Sequence, residues 1–197
     1  AATSHLGIAS TVSTASQHPF LAVRALTSLD FLSGGRVGWN IVTGNARSEH
    51  RAMGLDFMGH DQRYDRAEEY MQICYALWRG IPKDAVLQDK KNGIFADPSK
   101  IEKIAFDGEY LSCHATPSIL PSPQGRPVLF QAGSSGRGQQ FAVSHADVIF
   151  AIQPDLARMQ TFMAQIRAAG KANKRRDPVR VTFAIQPFIG ETLAGAE

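Results

Sequence analysis

The 197-residue chain has only two cysteines, Cys74 and Cys113. A disulfide framework needs more, so that class of small secreted scaffold is excluded. Cys113-His114 has no second ligand pair at a zinc-site spacing, and no metal site is expected. No apolar run approaches the roughly 18 residues that a membrane helix needs. The first residues show no basic stretch followed by a long apolar core, so they do not read as a secretory signal, and the cytoplasm is the default location. Excess charge is also scarce. Twenty-one Lys and Arg against 18 Asp and Glu leave +3, too little for a nucleic-acid footprint. Much of it is local, at Arg167, Lys171, Lys174, Arg175 and Arg176, which reads as a solvated helix end and loop. Hydrolytic motifs are missing: there is no GxSxG and no HExxH, and Glu68 and Glu69 read as solvated acids on the outer part of a helix. What remains is 44% hydrophobic and 20% charged, the balance of a globular chain with one core.

What is present alternates. Residues 5–12 read as a short buried strand through Leu6, Ile8 and Val12. His18-Pro19 opens a helix, with Pro at an early helical position and an apolar stripe of Leu21, Ala22, Ala25, Leu26 and Leu29. Ser33-Gly34-Gly35-Arg36 stops it. Residues 37–42 form a second strand that ends at Thr43-Gly44-Asn45, before a loop of about fifteen residues, longer than most connections. Residues 61–78 are the clearest helix, with Ala67, Tyr70, Met71, Cys74, Leu77 and Trp78 at helical spacing. Residues 79–126 break the pattern. They hold a polar stretch at 88–98, a candidate hairpin around Asp107-Gly108, and a proline-rich segment at 118–127. Strand and helix then return at 128–131, 133–145, 147–151, 154–169 and 179–185, with Leu156, Met159, Met163 and Ile166 as the stripe of the last helix. This is a parallel α/β arrangement with right-handed crossovers. Composition favours an open doubly wound sheet; a piece of an eight-stranded barrel is the rival.

Two segments stand out. Gln131-Ala132-Gly133-Ser134-Ser135-Gly136-Arg137-Gly138 joins a strand to a helix. Small residues allow close backbone approach, helix N-terminal N–H groups can face a phosphate, and Arg137 can add charge. It is neither a dinucleotide fingerprint nor a Walker loop, and a purely structural glycine-rich turn reads equally well. The second segment is Val37-Gly38-Trp39-Asn40-Ile41-Val42-Thr43, which places polar Asn40 and Thr43 in or at the end of a strand. Strand C-terminal ends form the active-site rim of α/β proteins, but Asn40 could equally satisfy a backbone group. His60 and Tyr64, four apart, share a helix face and can touch one ligand. Ser10, Thr11, Ser13 and Thr14 crowd the end of the first strand.

The runs Ala9-Ser10-Thr11-Val12-Ser13-Thr14, His18-Pro19, Leu29 through Thr43, and Ser122 through Ser135 together resemble the bacterial-luciferase-like flavin monooxygenases, of the nitrilotriacetate and dibenzothiophene-sulfone monooxygenase type. The resemblance spans essentially the whole chain. It implies a (β/α)₈ barrel of which this chain supplies about the third to the seventh strand, with 79–126 as an insertion before the fifth. It also implies reduced FMN, supplied by a separate NAD(P)H-dependent flavin reductase. One atom of O₂ would enter a small organic substrate and the other would leave as water. By the same resemblance the flavin contacts are Ser10 or Thr11, Asn40, His60, Tyr64, Ser134 and Ser135. A homo-oligomer without nucleic-acid or membrane partners is expected. An unfinished barrel leaves open edges, so the chain alone is expected to bind FMN weakly.

Overall fold

The computed structural model describes residues 3–133, 135–175, 177–187, 189–190 and 192. Its centre is a five-stranded parallel sheet built from β1 (Ile8–Ser13), β2 (Val37–Val42), β7 (Val128–Gln131), β8 (Val148–Ala151) and β9 (Arg180–Phe183), adjacent in that order. The order never reverses. A doubly wound sheet needs such a reversal, so the doubly wound expectation drawn from composition is corrected, although the described sheet is open at β1 and β9. Each strand lies beside the one before it, as in a singly wound sheet.

Helix α1 (Pro19–Ser33) joins β1 to β2, and α3 (His60–Arg79) follows β2 after the short α2 (Arg47–Ala52). Helix α4 (Gly136–His145) joins β7 to β8, and α5 (Leu156–Ala172) joins β8 to β9. Between α3 and β7 lie two antiparallel hairpins, β3 (Val86–Asp89) with β4 (Ile94–Ala96), and β5 (Ile104–Asp107) with β6 (Ser112–Ala115). The polar stretch at 88–98 therefore contains hairpin structure rather than only loop.

Strand alternation splits the sheet into two faces. Val12, Trp39, Ile41 and Leu129 share one face and pack with Val23 and Leu26 of α1, Tyr70 and Met71 of α3, and Phe141 of α4. Ile149, Val181 and Phe183 continue that face against Phe162 and Ile166 of α5. The other face carries Thr11, Asn40 and Phe130. Gly38 lies on it too, and a Cβ there would stand 2.8 Å from Phe130 Cε2, so only glycine lets the Phe130 ring lie across β2.

Three apolar assignments shift. Leu6 and Ile8 are 61% and 65% exposed, so the first strand is an edge rather than a buried strand. In α1 the buried set is Pro19, Ala22, Val23, Leu26, Thr27 and Asp30, whereas Leu21 and Leu29 lie on the exposed flank. In α5, Phe162 and Ile166 are buried and Leu156 is exposed. The stripes were set by apolar content, while burial follows the side that α3 and the sheet cover.

Glu68 and Glu69 also differ from expectation. Glu69 accepts the backbone N–H groups of Glu109, Tyr110 and Leu111 at 2.8–2.9 Å, which ties the β5–β6 turn to α3. Glu68 is half-buried between α3 and α4. In the basic run, Arg175 donates to the carbonyls of Val143 and Ala146 at the end of α4; Arg176 lies outside the described residues. No helix among the described residues is long and apolar enough to cross a membrane.

Candidate functional site

A cleft of about 500 Å³ opens at the C-terminal ends of β1, β2 and β7. Thr11 reaches it from β1, Thr43 to Asn45 from the end of β2, His60, Arg63 and Tyr64 from the first turns of α3, and Gln131 to Gly133 with Ser135 from the β7–α4 turn. The fold brings these distant segments together because parallel crossovers put every strand's C-terminal end on one rim.

The β7–α4 turn is tight for a visible reason. A Cβ on Gly133 would stand 2.6 Å from Gln131 Nε2 and 2.9 Å from the Gly138 Cα. A Cβ on Gly138 would stand 2.7 Å from Tyr64 Oη. Gln131 Oε1 accepts the Gly133 N–H at 2.6 Å, and Ser135, the N-cap of α4, accepts the Gly138 N–H at 3.0 Å through Oγ. The start of a helix leaves further N–H groups without intrahelical partners and carries partial positive charge. Partial positive charge and close backbone approach thus coincide at this end of the cleft, which Glu49 also lines.

Tyr64 is buried and packs against the rings of His60 and Phe141, at 5.2 and 5.6 Å between centroids. His60 is exposed, and its Nδ1 lies 2.6 Å from Asp61 Oδ1. Asn40 Nδ2 donates to Thr11 Oγ1 at 3.0 Å, while Asn40 Oδ1 is buried without a partner among the described residues. Of the expected contacts, Thr11, His60, Tyr64 and Ser135 thus share one cleft, with Asn40 bonded to Thr11 beside it. Ser10 pairs in register with Trp39, which puts its side chain on the opposite face from Thr11. Ser134 lies outside the described residues.

Arg63 escaped the sequence reading. It lines the cleft, its Nη1 donates to the Met58 carbonyl at 2.9 Å, and its Nε is buried without a partner among the described residues. The only signal was its place three residues after His60, on the same helix face. A neighbouring cavity of about 240 Å³ shares Thr43 and Arg63 and is also lined by His50, which is buried and bonded through Nδ1 to the Ala46 carbonyl.

Other sequence candidates have structural roles. His18 caps α1, its Nδ1 accepting the Phe20 N–H, which leaves Nε2–H to donate to the Ser112 carbonyl at 2.9 Å. Cys74 is fully buried, and burial pushes its thiol well above the usual range. Among the described residues no cluster of His, Cys, Asp and Glu could hold a metal ion.

Dibenzothiophene-sulfone monooxygenase of Rhodococcus erythropolis is 39% identical over 199 residues, covering 100% of this chain and 44% of that protein. Nitrilotriacetate monooxygenase component A of Aminobacter aminovorans is 32% identical over 197 residues, covering 99% and 44%. The crystal structure of riboflavin lyase with modified FMN and riboflavin superposes with a TM-score of 0.87 at 38% identity, over 94% of this chain and 43% of that one. The chain thus spans less than half the length of these relatives. The luciferase-like monooxygenase family matches residues 1–197, and the chain belongs to that family.

Proposed function

We propose that this chain forms the FMN-holding part of a monooxygenase that uses reduced FMN and O₂ to oxygenate a small organic substrate. The observation that carries the reading is the convergence of the Ser135-capped start of α4 with Tyr64, His60 and Arg63 on one cleft. FMN is a phosphate monoester joined to a flat ring by a ribityl chain. The residues present fit its phosphate end, because the turn admits no Cβ at Gly133 or Gly138, and Arg63 holds a buried Nε with no other partner. Ser135 and Arg63 would hold the phosphate, Tyr64 and His60 the neighbouring chain, and Thr11 with Asn40 the side nearest the ring. The unpaired Asn40 Oδ1 is an acceptor available to a ring N–H. Ser134 belongs to the same proposal through the family resemblance, as does the Ser10-Thr11 position, at which Thr11 is the hydroxyl on the cleft side.

When bound, reduced FMN supplies two electrons for the activation of O₂; the chain's own residues bind, orient and exclude water. By the family resemblance, a separate NAD(P)H:FMN reductase would supply the reduced flavin. That the nitrilotriacetate relative is named component A supports a two-component arrangement.

We also propose that the five-stranded sheet is an arc of a (β/α)₈ barrel, about its third to seventh strands, with residues 79–126 inserted before the fifth. The unreversed strand order supports this, as do the exposed edge at Ile8 and the exposed α1 flank at Leu21, Leu29 and Leu32. Further βα units would cover both.

Titration of the chain with FMN and with riboflavin tests the assignment. FMN should bind at least tenfold more tightly than riboflavin, although both bind weakly while the ring side is open. Equal affinities would remove the phosphate end from the reading. Oxygen uptake with a flavin reductase then separates a working enzyme from an inactive relative.

A further inference from the structure

Arg137 lies in the glycine-rich segment, where a cation would ordinarily be assigned to the phosphate. Its guanidinium is engaged elsewhere. Nη1 is 3.1 Å from Glu68 Oε1 and Nη2 is 3.1 Å from Asp65 Oδ1, both on α3. Its Cζ lies 5.7 Å from the centre of the Tyr64 ring, in cation–π range. Two carboxylates face this one guanidinium, so the group as a whole offers an anion no net attraction. The second oxygen of Glu68 is 2.6 Å from His145 Nε2, at the other end of α4. One α3 carboxylate therefore bridges residues near both ends of α4.

We propose that Arg137 is a positioning residue: it pins the first turn of α4 to α3 through Asp65 and Glu68, roofs Tyr64, and does not itself take the phosphate. The proposal rests on the assignment of the Ser135 turn as the phosphate end. Its physical content is a distance. The N–H groups of a helix start act on an anion within hydrogen-bond reach, and their preorganisation sets how much affinity they give. Tyr64 Oη stands against Gly138, so the guanidinium over the Tyr64 ring and the ion pairs to α3 fix the same turn from two sides. Among the described residues that line the cleft, Arg63 is left as the arginine, its Nε buried without a partner.

The test uses Arg137→Ala, Arg137→Lys and Asp65→Ala in the 197-residue chain. It reads FMN and riboflavin affinity, thermal midpoint, and amide exchange of Gly136 to Gly138. Arg137→Ala should lower the FMN preference over riboflavin about tenfold, leave riboflavin affinity unchanged, and speed exchange of those amides at least tenfold. Arg137→Lys should restore part of both effects. Asp65→Ala, at an exposed side chain, should move both readouts the same way as Arg137→Ala. A guanidinium that binds the phosphate directly predicts the opposite sign, because freeing it from Asp65 would tighten FMN. Tighter FMN binding by Asp65→Ala, equal losses of FMN and riboflavin in Arg137→Ala, or unchanged amide exchange in that variant would each overturn the proposal. A native chain with no FMN preference would remove the phosphate reading instead, while the exchange measurement still decides whether Arg137 holds the turn.

Discussion

Tyr64 Oη and Gly138 are in such close approach that a Cβ on Gly138 would stand 2.7 Å from the phenol oxygen. The pair joins the first turns of α3 and α4, the two helices whose starts meet at the cleft.

A methyl group at Gly138 should therefore act as overpacking. Gly138→Ala is expected to cost about 1–3 kcal/mol, the usual range for forcing extra carbon into a packed site. FMN affinity should fall with it, since Tyr64 or the Ser135 turn must move. Tyr64→Phe removes the oxygen in the way. The double variant should regain most of the stability lost by Gly138→Ala alone, as measured by chemical denaturation. Simple additivity of the two losses would place the strain elsewhere, for instance at the Gly133 Cα, 3.1 Å from the same Cβ.

The β5–β6 turn depends on one carboxylate. Glu69 receives three backbone N–H groups, and charged acceptors make the stronger class of hydrogen bond. Glu69→Ala leaves those donors to water or unpaired and should cost about 1.5–3 kcal/mol, the range for bonds to a charged group. Glu69→Gln keeps one acceptor oxygen and should lose less. Amide exchange at Glu109, Tyr110 and Leu111 should rise in both variants, with α4 unaffected.

How far the sequence carried the fold depended on which residues were covered. Strand β2 was legible because Trp39 and Ile41 point to the helices, and the Gly34-Gly35 pair before it stops α1, with Gly34 in the left-handed region. Helix α3 was legible because its buried residues recur at helical spacing. The β3–β4 hairpin was not, because Leu87, Ile94 and Phe95 are all exposed and no inward-outward pattern exists to read. Helix α2 has no side-chain cap bond and only His50 buried, so nothing in its sequence announces a helix. At the site, the small residues of the β7–α4 turn and the His60–Tyr64 spacing pointed to the cleft. The engagement of Arg137 by α3 could not be read, since Asp65 and Glu68 are some seventy residues away.

Acid should loosen the molecule through two carboxylates. Asp147 is opposed by burial, which raises its pKa, but the paired Arg126 and the Leu129 N–H outweigh this and hold it below the usual value. Arg126 meets it in two bonds of 2.6 and 2.8 Å. Glu68 is likewise opposed by burial and held low by His145 and Arg137. A carboxyl with a depressed pKa in the folded state contributes stability that is present above its unfolded pKa and lost as pH falls through the folded one. Unfolding free energy should therefore drop as pH falls below about 4, the unperturbed range of these groups. Asp147→Asn and Glu68→Gln should each flatten that acid limb. A limb of unchanged steepness in both would assign it to other carboxylates.

The exposed flank of α1 gives the last prediction. Leu21, Leu29 and Leu32 are 54%, 51% and 81% exposed, and Ile8 on the adjoining edge strand is 65% exposed. A flank this apolar beside an unpaired strand edge is what an associating surface looks like. If further βα units cover it in the whole protein, the 197-residue chain should self-associate on its own. Sedimentation should show concentration-dependent species, and Leu29→Lys with Leu32→Lys should shift them toward monomer. The two substitutions remove no buried contact of the described core, so the thermal midpoint of the monomer should change little. A monomeric native chain at high concentration would show that this flank needs no cover, and would take away the packing argument for the barrel arc while leaving its strand order intact.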